Sequence, residues 1–341
     1  MALEMTNDAI MKTLENLNGK SVAVTGASGY IGSALVDALA QYPGKILRVS
    51  RQALIPREGI ASMVADIRTF DCWLSIVEQA DIIFHLAGST SVYAAARNPA
   101  ENLNSALLPI NHLVRAAREH GRSPRVVFSS TATVYGLTLQ LPVAETIEPR
   151  PVTVYDLHKL FGEQQLALAT RQEILKGVSL RLANVYGPSS STSSADDRGI
   201  LNRITAMAMQ GSDLKLYGGG AYLRDYVYIQ DVVSAFLLAG ITPGMAGNVF
   251  NIGSGVATTL KRAFEVVATH TEKMTGRRVN FDCVPWPSGS DPIEFRNFVA
   301  KTQKFSTATG WQASVDLEEG IRLLASEHLK NSAAINAQPS L

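Results

Sequence analysis

Ser21-Val-Ala-Val-Thr-Gly26-Ala-Ser-Gly29-Tyr-Ile-Gly32 (SVAVTGASGYIG) joins an apolar run to a helical pattern through three glycines. Residues 21–25 form a short apolar run rich in β-branched side chains, the pattern of a buried strand. Tyr30, Ile31, Ala34, Leu35, Ala38 and Leu39 then recur at helical spacing. Between the two lies a GxxGxxG turn. Its first glycine permits a tight strand-to-helix turn, the second lets backbone approach a pyrophosphate, and the third lets helix and strand pack closely. The helix start offers free N–H groups and the positive end of a dipole to phosphate oxygens. Gly26, Ser28, Gly29, Tyr30, Ile31 and Gly32 are therefore expected to cradle a dinucleotide.

The rest of the first half keeps this alternation. Strands are expected at Ile46–Val49, Ser62–Ala65, Asp81–Leu86, Arg125–Ser129 and Val178–Leu182. Helices are expected from Pro99 towards Arg118 and from Val154 to Ile174, with a short amphipathic helix from Ile10 to Leu17 resting on the body. Strands alternating with helices imply βαβ units, hence a parallel sheet covered on both faces. After Pro188 the rhythm changes to a polar loop (PSSSTSSADDRG), a helix at Ile200–Met209, a strand at Leu214–Tyr217, a glycine turn at Gly218–Gly220 and a helix near Thr259–Met274. The fold class read from this is α/β, a doubly wound parallel sheet over residues 18–187. A smaller α/β domain follows at 188–330, with some of its elements returning to the large sheet.

Composition limits the function. Of 341 residues 46% are hydrophobic and 18% charged, with a net charge of +1. That is a globular balance without a field that would attract nucleic acid or an anionic membrane, so neither is expected as a partner. No apolar run reaches the length of a membrane span, and the first twenty residues mix acids and bases as a signal peptide does not. The two cysteines, Cys72 and Cys283, have no metal-ligand or CxxC spacing. No metal site is expected, and a cytoplasmic location fits two reduced thiols.

The end of the second strand discriminates cofactors. An acidic residue there would bond the ribose 2′-OH of NAD; Ser50-Arg51 stands there instead and can pair with a 2′-phosphate, which favours NADP. Asp66-Ile67, after the third strand, is placed to contact adenine.

Tyr155 and Lys159, four apart at a helix start, share one face. A tyrosine titrates near a pKa of about 10, too high for a base at neutral pH. A nearby ammonium and a cationic nicotinamide would stabilise its phenolate. Tyr155 could then exchange a proton with a carbinol oxygen while hydride moves at the carbon. Thr131, in the run Ser129-Ser-Thr-Ala-Thr-Val-Tyr-Gly136, follows the fifth strand at the carboxyl edge of the sheet, where ligands of such folds bind.

Taken together, VTGASGYIG, Ala65–Ile67, HLAG at 85–88, NPAENLN at 98–104, FSSTATVYG, Tyr155-x-x-x-Lys159, RLANVYGP at 181–188, LRDYVYIQDV at 223–232 and NIGSG at 251–255 resemble the extended short-chain dehydrogenase/reductases. The branch is that of the nucleotide-sugar epimerases, dehydratases and reductases, with a Rossmann-type cofactor domain. The resemblance runs from about Lys20 to Leu324. It implies Thr131 as the catalytic hydroxyl, Tyr155 as the acid/base, and Lys159 as the group holding the nicotinamide ribose. It adds Leu86 and Ala87 to the cofactor contacts and makes Asn104 the supporting asparagine. Asn184, Arg224 and Arg296 become the groups on the sugar diphosphate. It also implies a homodimer through the two helices flanking the site.

The departures narrow the chemistry. The branch's 4,6-dehydratases carry Asp-Glu just after the threonine; here Ala132-Thr133 stand there, so no carboxylate is expected and dehydration is disfavoured. A 4-keto sugar-nucleotide reductase using NADPH and a 4-epimerase retaining NAD remain. Ser50-Arg51 and the stretch ADDRGILNRI tip the reading to the reductase. From another class, a non-catalytic dinucleotide-binding protein is opposed by the intact Thr131, Tyr155 and Lys159. His158 is expected on the helix surface.

Overall fold

The computed structural model describes residues 10–17, 19–193 and 199–336. The expectation placed on Ala195–Arg198 of the polar loop lies outside them. Seven strands form one sheet. Its first six are β1 (Val22–Thr25), β2 (Ile46–Ser50), β3 (Ile60–Val64), β4 (Ile82–His85), β5 (Arg125–Thr131) and β6 (Lys176–Leu182). Past them come β7 (Asn184–Tyr186), β8 (Leu214–Tyr217), β9 (Leu223–Arg224), β10 (Tyr226–Tyr228) and β11 (Val249–Ile252). The last of these returns to the large sheet, whose order is β11-β6-β5-β4-β1-β2-β3 with every pair parallel. β1 lies between β2 and β4, so the winding reverses there. A crevice opens at the carboxyl ends of these strands, where such sheets bind ligands.

Helices cover both faces, as strands this uniformly buried require. The first turns, residues 10–15 (α1), bury Ile10 and Leu14, and Leu17 beyond them, while Lys12 and Glu15 stay in solvent. This segment joins α2 (Tyr30–Leu39) and a later helix over one face. The opposite face carries α3 (Phe70–Gln79) and, past α4 (Val92–Arg97) and α5 (Pro99–Ala106), α6 (Leu108–His120) and α7 (Val154–Arg171). The expected single helix after Pro99 is in fact two. Pro109 has no N–H to continue a ladder and restricts Leu108 before it, so the chain kinks at Leu107 and a new helix starts with proline in its first turn.

The third core lies over the sheet's open end. It packs α8 (Ile200–Met209), α10 (Leu260–Thr275) and α12 (Leu317–Asn336) against β8 and β13 (Phe281–Val284), with Leu201, Ile204, Phe264 and Ile321 inside. Helix α9 (Ile229–Ile241) is buried along most of its length beneath the sheet, the position of the later helix beside α2. α11 (Gln303–Thr309) packs on β11 through Phe305. A two-residue strand, β12 (Thr258–Thr259), pairs with β9.

Candidate active site

The glycine turn is forced by contact distances. Gly26 has φ +70, and a Cβ there would stand 2.7 Å from the Ala87 nitrogen. A Cβ on Gly32 would stand 2.0 Å from the Gly26 carbonyl oxygen. Only glycine fits either place. Helix α2 starts beyond Gly29 with no side-chain cap and no acid in its first turn, so its free N–H groups face the crevice ready for an anion. These features fit a dinucleotide pyrophosphate.

From this turn a cavity of about 790 Å³ runs along the strand ends. Its wall includes the residues 26 and 28–32, Ser50 and Arg51, Asp66 and Ile67, and Leu86 and Ala87. It passes Thr131, Tyr155 and Lys159 and ends beside Asn184 and Tyr226. Arg51 is exposed, whereas Ser50 is buried with its hydroxyl 3.3 Å from that of Ser28. Asp66 is gripped by Arg68 at 2.6–3.0 Å, which holds its carboxyl below the usual range.

Strand β5 runs two residues further than its sequence pattern indicates and carries Thr131 to the cavity. Thr153 caps α7 by accepting from the Asp156 N–H at 3.1 Å, which puts Tyr155 and Lys159 in the first turns. Lys159 Nζ donates to the Ser129 carbonyl at 2.7 Å and lies over the Phe128 and Tyr155 rings, 4.9 and 5.9 Å from their centroids. Burial pushes the ammonium down to about 8, against the pull of Glu163 one turn on. Glu163 in turn forms a buried pair with Arg181 at 2.6 Å and accepts from Ser130, locking β5, β6 and α7 together beneath the site.

Three expectations about side chains change. Asn104 is exposed and off the cavity wall; Asn102 is buried and on it. Two residues along a helix is roughly 200° of rotation, so only one of the pair can face inward. Asn102 and Ala106, at i and i+4 on this helix, both line the pocket beside Lys159. His158 is buried, and its Nδ1 lies 2.7 Å from Asn102 Oδ1. The amide oxygen only accepts, so this imidazole nitrogen holds the proton and fixes Asn102. Finally, a carboxylate does approach Thr131: Thr133 Oγ1 stands 2.8 Å from Thr131 Oγ1 and donates to Asp156.

At the far end Asn184 forms the wall and the two arginines stand behind it. Arg296 Nη2 reaches Asn184 Oδ1 at 3.4 Å, and Arg224 donates to the carbonyls of Leu223, Glu294 and Arg296. Arg224 itself is not on the cavity wall. Burial, with the charge of Arg296, pushes Arg224 down to about 10, so the pair is under-neutralised. Tyr226 is buried, and its hydroxyl has no hydrogen-bond partner among the described residues.

Residues 22–253 match the model of the NAD dependent epimerase/dehydratase family. The chain belongs to that family. It is 29% identical over 308 residues, 87% of this chain and 95% of the relative, to a UDP-glucose 4-epimerase of Mycolicibacterium smegmatis. A GDP-6-deoxy-D-mannose reductase of Pseudomonas aeruginosa is 28% identical, with 89% and 95% covered. Among solved structures, a UDP-glucose 4-epimerase of Stenotrophomonas maltophila with bound NAD and formylated UDP-arabinopyranose superposes with a TM-score of 0.80 at 27% identity. It covers 92% of this chain and 99% of the other. As a member of this family the chain is an enzyme of the extended short-chain type with a nicotinamide dinucleotide as cofactor. Among the described residues no helix is long and apolar enough to cross a membrane.

Proposed function

We propose that this enzyme acts at C4 of a nucleotide-diphosphate sugar, as an NADPH-dependent 4-ketoreductase. The observation that carries the reading is the single cavity joining the uncapped glycine turn, Thr131-Tyr155-Lys159 and the Asn184–Tyr226 end. When bound, the dinucleotide supplies the hydride to C4 of the sugar. Tyr155 gives its proton to the C4 oxygen, Thr131 holds that oxygen, and Lys159 holds the ribose and steadies the phenolate. The charges of Arg224 and Arg296, which stand behind Asn184 rather than on the wall, favour a diphosphate at that end through space. The nearest carboxylate, Asp156, is fully buried, so removal of a sugar proton by it is not part of the scheme.

Similarity to 4-epimerases favours a second reading, in which NAD stays bound and the hydride returns to the other face of a rotated 4-keto sugar. A panel of UDP-, dTDP- and GDP-sugars and their 4-keto forms, assayed by absorbance with NADH and NADPH, separates the two. Stoichiometric NADPH oxidation supports the reductase. Protein purified with tightly bound NAD that interconverts two sugars without added cofactor rejects it.

NADP preference rests on Arg51 at the end of β2. Replacing Arg51 with Ala should raise KM for NADPH about 10- to 100-fold, the worth of one charge-assisted contact, and leave KM for NADH nearly unchanged. An equal change for both would remove Arg51 from 2′-phosphate recognition. The reading extends to a homodimer, supported by exposed Leu103 on α5 and Leu157, Phe161 and Leu168 on α7. The unpaired Cys72 and Cys283 support a cytoplasmic setting.

A further inference from the structure

Asp156 is a titratable group beside the reacting residues to which the scheme above gives no task. It follows Tyr155 in the chain, yet its side chain turns away from the cavity and is fully buried. An acid at the third position of a helix ordinarily folds back on its own cap. Here Oδ1 accepts from the Thr133 hydroxyl, and Oδ2 has no hydrogen-bond partner among the described residues. Thr133 Oγ1 lies 2.8 Å from Thr131 Oγ1, and the Thr133 N–H donates to Thr131 Oγ1 at 3.2 Å. Three groups thus form a continuous chain from a buried carboxyl to the cavity wall.

Such a chain has a direction. A carboxylate only accepts. With Asp156 ionised, Thr133 must donate to it, so Thr133 accepts from Thr131, and the Thr131 proton points away from the cavity. With Asp156 neutral, its O–H donates to Thr133, Thr133 donates to Thr131, and the Thr131 proton is free to face the cavity. Building on the proposed function, the oxygen at C4 gathers negative charge in the transition state, so a donor from Thr131 assists hydride transfer in either direction.

We propose that Asp156 is a positioning residue whose protonation, relayed by Thr133, sets whether Thr131 donates to the C4 oxygen. The surroundings agree. Desolvation raises the carboxyl above its usual range, the neighbouring Thr133 and Thr153 hydroxyls oppose this, and the charges facing it are Arg296, which lowers it, and Asp291, which raises it.

The test is a pH profile of kcat with the sugar nucleotide that the panel selects, measured in both directions. Wild type should show kcat falling about tenfold as Asp156 ionises, the size of one hydrogen bond at a charged oxygen, separate from the Lys159 limb near pH 8. Asp156→Asn, whose amide donates at every pH, should lose the first limb, keep the second and hold the low-pH rate. Thr133→Val, which removes the group that accepts from Thr131, should lose the first limb with kcat staying near its low-pH value, and Thr133→Ser should restore the limb. Infrared difference titration of the resting protein needs no turnover: a carboxylic C=O band outlasting ordinary carboxylates should vanish in Asp156→Asn and move in Thr133→Val. A first limb that persists in Asp156→Asn, or a band indifferent to Thr133→Val, overturns the proposal. Failure of the C4 reading would show separately, as turnover that survives Tyr155→Phe.

Discussion

Tyr155→Phe is expected to lower sugar-nucleotide turnover by about 10²- to 10⁴-fold, the usual contribution of a positioned acid/base group. The substitution removes one oxygen and keeps the ring that Lys159 lies against, 5.9 Å from its centroid, so dinucleotide binding should change little. Fluorescence titration with NADPH beside steady-state kinetics checks both halves. Wild-type kcat/KM should fall as pH rises through about 8. Below that value the buried Lys159 carries the ammonium that stabilises the phenolate, and above it the charge is lost. Turnover undiminished by Tyr155→Phe would sink the C4 scheme, because the proton would then come from another group.

The second large effect lies beneath the site. Arg181 meets Glu163 at 2.6 Å with both side chains at 5% exposure or less, and it stacks on Tyr135 at 4.7 Å. Arg181→Met would leave Glu163 buried with only the Ser130 hydroxyl. Breaking one side of a buried pair costs about 3–5 kcal/mol. For a chain of this size that is a fall in Tm on the order of 5 °C. Adding Glu163→Leu should recover most of the loss, because an apolar pair replaces an ion pair at little cost. Thermal melts of the two variants decide it: a double variant no better than Arg181→Met would show that the pair is worth more than its desolvation. Since Glu163 also supports the charge on Lys159, the single variant should show its alkaline limb shifted to lower pH if the carboxylate takes up a proton.

The parts of this enzyme that were legible in the sequence are those set by neighbours along the chain. A strand, a glycine turn and a helix within residues 21–39 specify a βαβ start and an anion cradle by local sterics and periodicity. So do the four-residue step from Tyr155 to Lys159 and the alternation that yields a parallel sheet. Even the break at Leu107 is written in Pro109, a local signal inside a long helical pattern.

Direction and distance between segments come from the folded chain. Periodicity says that a helix has an inner face, but packing chose Asn102 over Asn104 for it. His158, a surface residue by pattern, is buried because α5 lies against α7 and its imidazole meets Asn102. Arg224 carries its motif, yet its donors turn to the carbonyls of residues some seventy positions away. Ala132-Thr133 promised no acid near Thr131. The carboxyl arrived from Asp156, 23 positions beyond Thr133, because the first turn of α7 packs against the chain that leaves the carboxyl end of β5. Sequence fixes which groups a segment carries and how they are spaced along it; only the folded chain sets which of them meet, since that depends on contacts between residues far apart in order.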